Sequence, residues 1–469
     1  MEEEFDHREE EQLIRKSVLR YEEMLRKKDE YFFDVDAFIS IIDNYIEKND
    51  PVNAIQVIEF ASSQHPSSVD FLLKKAQILA MTNEPKRALI ILEKAEMLAP
   101  NEADLYMIRG NVFSQLGKYD KAIEQFNRAV PLAEEKDLIF LNIAYTYEGW
   151  GDYNKAIDFL KKCLDENPKN EVALYEIAFC YECIGQLEES VAFYESFIDK
   201  EPYNHHAWYN LGNVFNRSSK YAEALESYDY SLLIKPDFSS AYFNKGNTLA
   251  CLNRFEEAIA NYKQTFEYET PDALTYYNIG ECHEQLEQLQ KAREFFKKAT
   301  KLDPQLAEAL LGIGVTLSSE DRSFEAIHYI KKAIDVNDKV PEFWFALGDA
   351  EFSLENYVEA EKAYLRVIEL DPNNADIWLE YSHLLREDDR LNEAIETVER
   401  GLDYLPENAE LYFRLACYHF DAGSKQQAYN TIEVGLNKNK KLSNTLFEYL
   451  PALETDTNVL SLIDLYKNK

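Results

Sequence analysis

HHAWYNLGNVFNRSSKYAEALESYDYSLLIKPDF, residues 205–238, runs without a gap into SSAYFNKGNTLACLNRFEEAIANYKQTFEYETPD, residues 239–272. Laid over one another, the two 34-residue stretches match Asn210 to Asn244, Gly212 to Gly246, Asn213 to Asn247 and Ala224 to Ala258. Stepping from Ala224 by 34 in both directions gives Ala54, Ala88, Ala122, Ala156, Ser190, Ala258, Ala292, Ala326, Ala360, Ala394 and Ala428, eleven alanines in twelve positions with no slip. A second ladder, twelve residues earlier, runs from Ile42 through Ala76, Gly110, Ala144, Ala178, Gly212, Gly246, Gly280, Gly314, Gly348 and Ser382 to Ala416, and only Ile42 is large. A third, twelve residues after the alanines, holds Pro66, Pro100, Pro168, Pro202, Pro236, Pro304, Pro372 and Pro406. A fixed period of this size means that one supersecondary unit is stacked many times.

Apolar residues recur at spacings of three and four along almost the whole chain, and no alternation is sustained, so the unit is helical. Proline has no amide hydrogen and its ring clashes with the preceding turn, so each proline of the third ladder ends a helix. One period is therefore two short helices and two turns. Antiparallel helices joined by a short turn approach closely only where the side chains at their crossing are small, which accounts for the Ala and Gly ladders. Trp208, Leu211, Phe215 and Tyr228 fill the remaining contacts of one unit, while Gly117, Gly151 and Gly185 stand at chain reversals ahead of Tyr119, Tyr153 and Leu187. The expected fold is all-α, an α-solenoid of antiparallel helix pairs.

These ladders closely resemble the tetratricopeptide repeat, whose signature places Trp, Leu, Gly, Tyr, Ala, Phe, Ala and Pro at set positions of a 34-residue unit. On that resemblance twelve units tile residues 35–442 without insertion, starting at Val35, Val69, Ala103, Asp137, Glu171, His205, Ser239, Ala273, Ala307, Pro341, Ala375 and Ala409. Glu134, Thr270, Asp338 and Lys440 replace the closing proline, and looser or longer helix ends are expected there. Residues 1–34 fall outside the period, but Leu13, Ile14, Val18, Tyr21, Met24 and Leu25 share a helical face and read as an N-terminal capping helix. Residues 443–469 read as C-terminal capping helices, with amphipathic segments 444–450 and 458–466 separated by Pro451. The resemblance implies a right-handed superhelix whose first helices line a concave face, where extended peptides or partner helices lie.

Positions 2, 5, 6, 9 and 12 of each unit are the inward ones in that family. In the middle units they carry Asn142, Tyr175, Tyr209, Asn210, Asn213, Phe243, Asn244, Asn247, Tyr277, Asn278 and Glu281. An asparagine amide both donates to and accepts from a peptide backbone, so a row of them grips an extended chain without reading its sequence. The aromatics add apolar contact. This region is similar to the asparagine-lined repeat domain of O-linked N-acetylglucosamine transferase, without any catalytic domain. Family consensus alone is the competing account, since Tyr and Asn are common there. Inward acids outnumber inward bases: against Lys74, Arg386 and Arg414 stand acids that include Asp43, Glu148, Glu176, Glu182, Glu284, Asp349 and Glu380. The expected ligand is a neutral or basic segment, and solubilising charge is the alternative. No converging Lys/Arg pair with Asn is found for a carboxylate clamp.

The formal charge of −36, from 86 acidic and 50 basic residues, argues against a nucleic acid or an anionic membrane as partner. No apolar stretch is long enough to span a bilayer, and the acidic N-terminus does not resemble a secretory signal; with six scattered cysteines the expectation is a cytoplasmic protein with free thiols. Cys180 and Cys183 form a lone Cys-x-x-Cys in mid-helix, with no second pair for a metal. His205 and His206 start a helix, Gly312 and Gly314 lie inside one, and Lys438, Lys440, Lys441, Lys467 and Lys469 make the C-terminal end basic. None of these assembles a catalytic set, and no cofactor or metal is expected. The reading is a non-enzymatic protein-interaction scaffold, monomeric or homodimeric. Its alternative is a non-catalytic, substrate-recruiting or regulatory subunit of a separate enzyme.

Overall fold

A computed structural model describes residues 2–467, with side chains from Ile14 to Tyr466. The side chains of Leu13, Lys467 and Lys469 lie outside the described residues. The chain is an α-solenoid: among the described residues there are helices, short 3-10 turns and connecting turns, and no strand. It divides into two compact units, Met1–Pro236 and Asp237–Lys469.

In the first unit the helix Glu2–Lys27 precedes a run of hairpins, among them Asp137–Trp150 with Tyr153–Glu166, Glu171–Cys183 with Leu187–Lys200, and His205–Arg217 with Tyr221–Ile234. First helices commonly start on a side-chain cap: Asp34 accepts from the Ala37 amide at 2.8 Å, Asn170 from Ala173 at 2.9 Å and Asn204 from Ala207 at 2.9 Å, satisfying donors that the helix cannot. Val18, Tyr21 and Met24 of the first helix are buried against Phe33 and Phe38. Leu25, assigned to the same face from its spacing, is instead exposed.

In the second unit the hairpins include Ser239–Cys251 with Phe255–Thr265, Ala273–Gln285 with Leu289–Leu302, Pro341–Phe352 with Tyr357–Leu370, Ala375–Glu387 with Leu391–Tyr404, and Ala409–Asp421 with Lys425–Asn439. Leu446, Leu453, Val459 and Ile463 then close the core over Phe413 and Ile432.

Two features explain the regularity. In several hairpins, those of Gly110, Gly212, Gly246, Gly280 and Gly348, a ring of the second helix lies on the small residue of the first, and at Gly314 the branched Ile330 takes that place. A Cβ added to Gly212 would come within 2.6 Å of the Tyr228 ring, and one added to Gly246 within 2.7 Å of the Tyr262 ring. Each hairpin turn also contains one left-handed residue, and these recur every 34 residues from Asn49 to Gly423. Only Gly117, Gly151, Gly185 and Gly423 of that series are glycine; Ser219, Glu287 and Glu355 are among the rest. At Glu287 the turn closes by its amide donating to Glu284 (2.8 Å) and the Gln288 amide to His283 (2.9 Å), the paired bonds that end a helix on a left-handed residue.

Two helix ends that lack the closing proline behave otherwise than expected. Tyr119–Ala129 and Phe255–Thr265 each span 11 residues, against 14 for Tyr221–Ile234, so they are shorter, not longer. Pro131 has no amide hydrogen to continue the ladder, although Val130 before it keeps helical backbone at φ −50° and ψ −48°. After Thr265 the backbone tightens into bonds three residues apart, from Phe266 to Lys263, Glu267 to Gln264 and Tyr268 to Thr265.

Candidate functional site

The first-helix faces of the two units carry the candidate binding residues. In the first unit Asn142 turns back onto its own helix, its amide donating to the Leu138 carbonyl at 2.7 Å. Tyr175 is 54 % exposed, whereas Asn210 is only 3 % exposed. Tyr209 is half-buried with its ring 6.1 Å from that of Tyr228. Asn213 accepts from the Tyr228 hydroxyl at 2.8 Å.

The second unit repeats that pairing. Tyr262 donates to Asn247 at 2.7 Å, and Asn278 donates to the same oxygen at 3.2 Å. Phe243 lies 5.7 Å from the Tyr262 ring and Asn244 is half-buried. Tyr277 packs 5.8 Å from Phe296, and its hydroxyl donates to the exposed Glu281 at 2.5 Å. Further along, Tyr364 donates to Asp349 at 2.7 Å. The ninth residue of these hairpins thus satisfies a tyrosine hydroxyl that packing has buried, as buried polar groups require. Sequence spacing did not reveal this role. A tyrosine fifteen residues after each Asn or Asp was the available signal.

Carboxylates on these faces crowd one another. Burial pushes Glu148 up; the Cys180 thiol, 3.4 Å away, offsets this and the charge of Glu176 adds to it. Burial likewise raises Glu176, eased by Tyr145. In the second unit burial and then the charge of Glu281 raise Glu284. Asp349 rises from 3.8 to about 6 through burial, with Tyr364 opposing and Glu380 adding. Two inward bases are already paired: Lys74 with Asp43 at 2.5 Å and Arg386 with Asp421 at 2.8 Å. Arg414 is 8 % exposed and stacks 3.7 Å from the centre of the Tyr449 ring. Glu182 is paired with Arg217.

The remaining motifs have structural roles. Cys180 is buried and its thiol is pushed well up, first by burial and then by Glu148, the reverse of what a reactive thiolate needs. A Cβ on Gly312 would meet the Phe296 ring at 2.6 Å, and one on Gly314 would meet Ile330 at 2.5 Å; both serve close packing. No described helix is long and apolar enough to cross a membrane.

The hairpins, the small-residue crossings and the repeated turn define a helical-repeat protein. Tetratricopeptide-repeat families match residues 151–202, 184–239, 237–305, 322–375 and 352–415, and the chain is a tandem tetratricopeptide-repeat protein. Residues 14–149 match a further family, ChAPs (Chs5p-Arf1p-binding proteins). No curated protein matches the chain. Among solved structures it is similar to a chain of the APC/C hetero-tetramer Cut9-Hcn1, with 15% identity over 86% of this chain and 97% of that one and a TM-score of 0.42. It is also similar to YrrB, a TPR protein with an unusual peptide-binding site, with 19% identity over 39% of this chain and 93% of that one and a TM-score of 0.34. A tetratricopeptide repeat protein from Parabacteroides merdae is 14% identical over 53% of this chain and 98% of that one, with a TM-score of 0.41.

Proposed function

We propose that this chain, a protein-interaction scaffold, is non-catalytic and holds neutral or basic segments of partner proteins on its first-helix faces, in the cytoplasm. Residues 35–442 are read as twelve binding-competent units between two caps. The observation that carries the proposal is the crowding of unpaired acids: Glu148 beside Glu176, and Glu284 beside Glu281, have no Lys or Arg partner among the described residues. A bound cation offsets the repulsion and, by attraction, part of the cost of holding these carboxylates ionised while buried, so affinity is gained where the unliganded protein is least comfortable. In the first unit the exposed Tyr175, and in the second the exposed Glu281, is the first group such a segment meets; Asn244 and Asn278, both half-buried, line its path in the second unit, and the buried Asn210 stays out of reach. The similarity of residues 14–149 to proteins named for binding Chs5p and Arf1p supports a protein partner docking on the N-terminal hairpins.

The test is equilibrium binding of extended Lys/Arg-containing peptides at two ionic strengths, with the intact chain and with Glu148→Gln/Glu176→Gln and Glu281→Gln/Glu284→Gln. The expected result is binding that weakens with salt and weakens again in the variants. Affinity indifferent to salt and to all four substitutions would refute the proposal.

A further inference from the structure

In three hairpins the aromatic residue near the start of the first helix is covered by a cation of the same hairpin, 22 residues on. Arg128 lies 4.3 Å from the centre of Tyr106, Lys298 lies 5.6 Å from Tyr276 and Arg400 lies 5.7 Å from Trp378. The residue 22 after Trp208 is Tyr230, which carries no charge and stacks on the indole at 4.5 Å between ring centres. No cation of the described residues lies over Trp208.

The second-helix side of the same hairpin has a groove of about 390 Å³ between the helices Leu187–Lys200 and Tyr221–Ile234, with Trp208 and Phe215 in its floor. Its rims are acidic: Glu195 and Asp199 on one helix, Glu223 and Glu226 on the other. All four are exposed and none is in an ion pair among the described residues. The neighbouring groove, one hairpin earlier, shows what such a space accepts. Its volume is about 660 Å³, and its own Lys161 lies 5.6 Å from Tyr181 and 5.7 Å from Phe193, donating to the Tyr181 hydroxyl at 3.0 Å. One period on, Lys161 becomes Glu195 and Tyr181 becomes Phe215. The aromatic floor is kept and the cation is replaced by its opposite.

We propose that this groove receives an arginine side chain of a partner protein. A cation over an aromatic face gains about 0.5–2 kcal/mol as it is desolvated. Arginine suits the site better than lysine because its flat guanidinium stacks on the stacked Trp208–Tyr230 pair while its fork engages carboxylates two bonds at a time. The site is on the second-helix side of the first unit and does not depend on the first-helix reading above.

The test uses the full chain labelled with 5-fluorotryptophan, whose four tryptophans give separate fluorine resonances, with Trp208→Phe assigning one of them. The probe is acetyl-Ala-Arg-Ala-Arg-Ala-amide at about 0.15 M salt, where diffuse attraction to an acidic surface is screened beyond about 8 Å. The expected result is a saturable shift of the Trp208 signal alone. Glu195→Gln/Glu226→Gln, both on exposed sites, should weaken it about tenfold, equivalent to about 1.4 kcal/mol. Parallel, unsaturating shifts of all four signals would overturn the proposal, as would equal binding of the citrulline peptide. Equal affinity for the lysine peptide would overturn the assignment to arginine.

Discussion

Asp349→Asn should make the protein more stable at neutral pH, because the fold holds this carboxylate against its own preference. Burial raises the carboxyl from 3.8 to about 6 even though Tyr364 donates to it, and Glu380 adds repulsion. Each tenfold change in acidity corresponds to about 1.4 kcal/mol, so the ionised fold carries a penalty of about 3 kcal/mol above pH 6. Between about 4 and 6 the native chain keeps a proton that the unfolded chain has released. Stability therefore falls as the pH rises through that window, and the penalty is absent below it. Asparagine removes the charge and leaves an oxygen for Tyr364, the arrangement already present between Asn213 and Tyr228 and between Asn247 and Tyr262. The expected gain is about 1–3 kcal/mol at pH 7.5, shrinking towards zero near pH 4. Because a repeat array unfolds locally, the assay is native-state hydrogen exchange of the amides in Pro341–Phe352 and Tyr357–Leu370, alongside the melting temperature. If the variant is less stable at pH 7.5, the charged hydrogen bond outweighs burial and the reasoning fails. A gain that is the same at both pH values would also defeat it.

Gly212→Ala places a methyl where the Tyr228 ring stands 2.6 Å away. Overpacking of this kind costs about 1–3 kcal/mol, and a melting temperature unchanged from wild type would show that the hairpin opens without strain. Glu287→Gly and Glu355→Gly act in the other direction, since both residues are left-handed, at φ 56° and 62°. Relief of about 1–2 kcal/mol of backbone strain, less the extra freedom glycine has when unfolded, leaves a gain of up to about 1 kcal/mol each; calorimetry showing a loss at both sites would refute it.

How much was legible follows from what each feature depends on. The all-helical class, the hairpin and the repeat family were readable from residues 205–272 because a 34-residue period, small residues at the crossing and prolines at helix ends are properties of the chain itself. The left-handed turn was readable where it carries glycine, as at Gly117, and hidden where it carries Glu287 or Glu355, because the closed turn imposes that backbone on residues that do not prefer it. Asn213 and Asn247 appeared in the sequence only as inward amides. Their bonds to Tyr228 and Tyr262 arise because the ring on the glycine carries its hydroxyl to the next residue of the facing helix. The acidic groove at Trp208 was likewise invisible: its acids lie on two second helices, and only packing brings Glu195, Asp199, Glu223 and Glu226 to the rims of one groove. Period and side-chain size along the chain therefore determine the fold, whereas the partner of each polar or charged group is decided in the tertiary structure, where residues distant in the sequence share the same few ångströms.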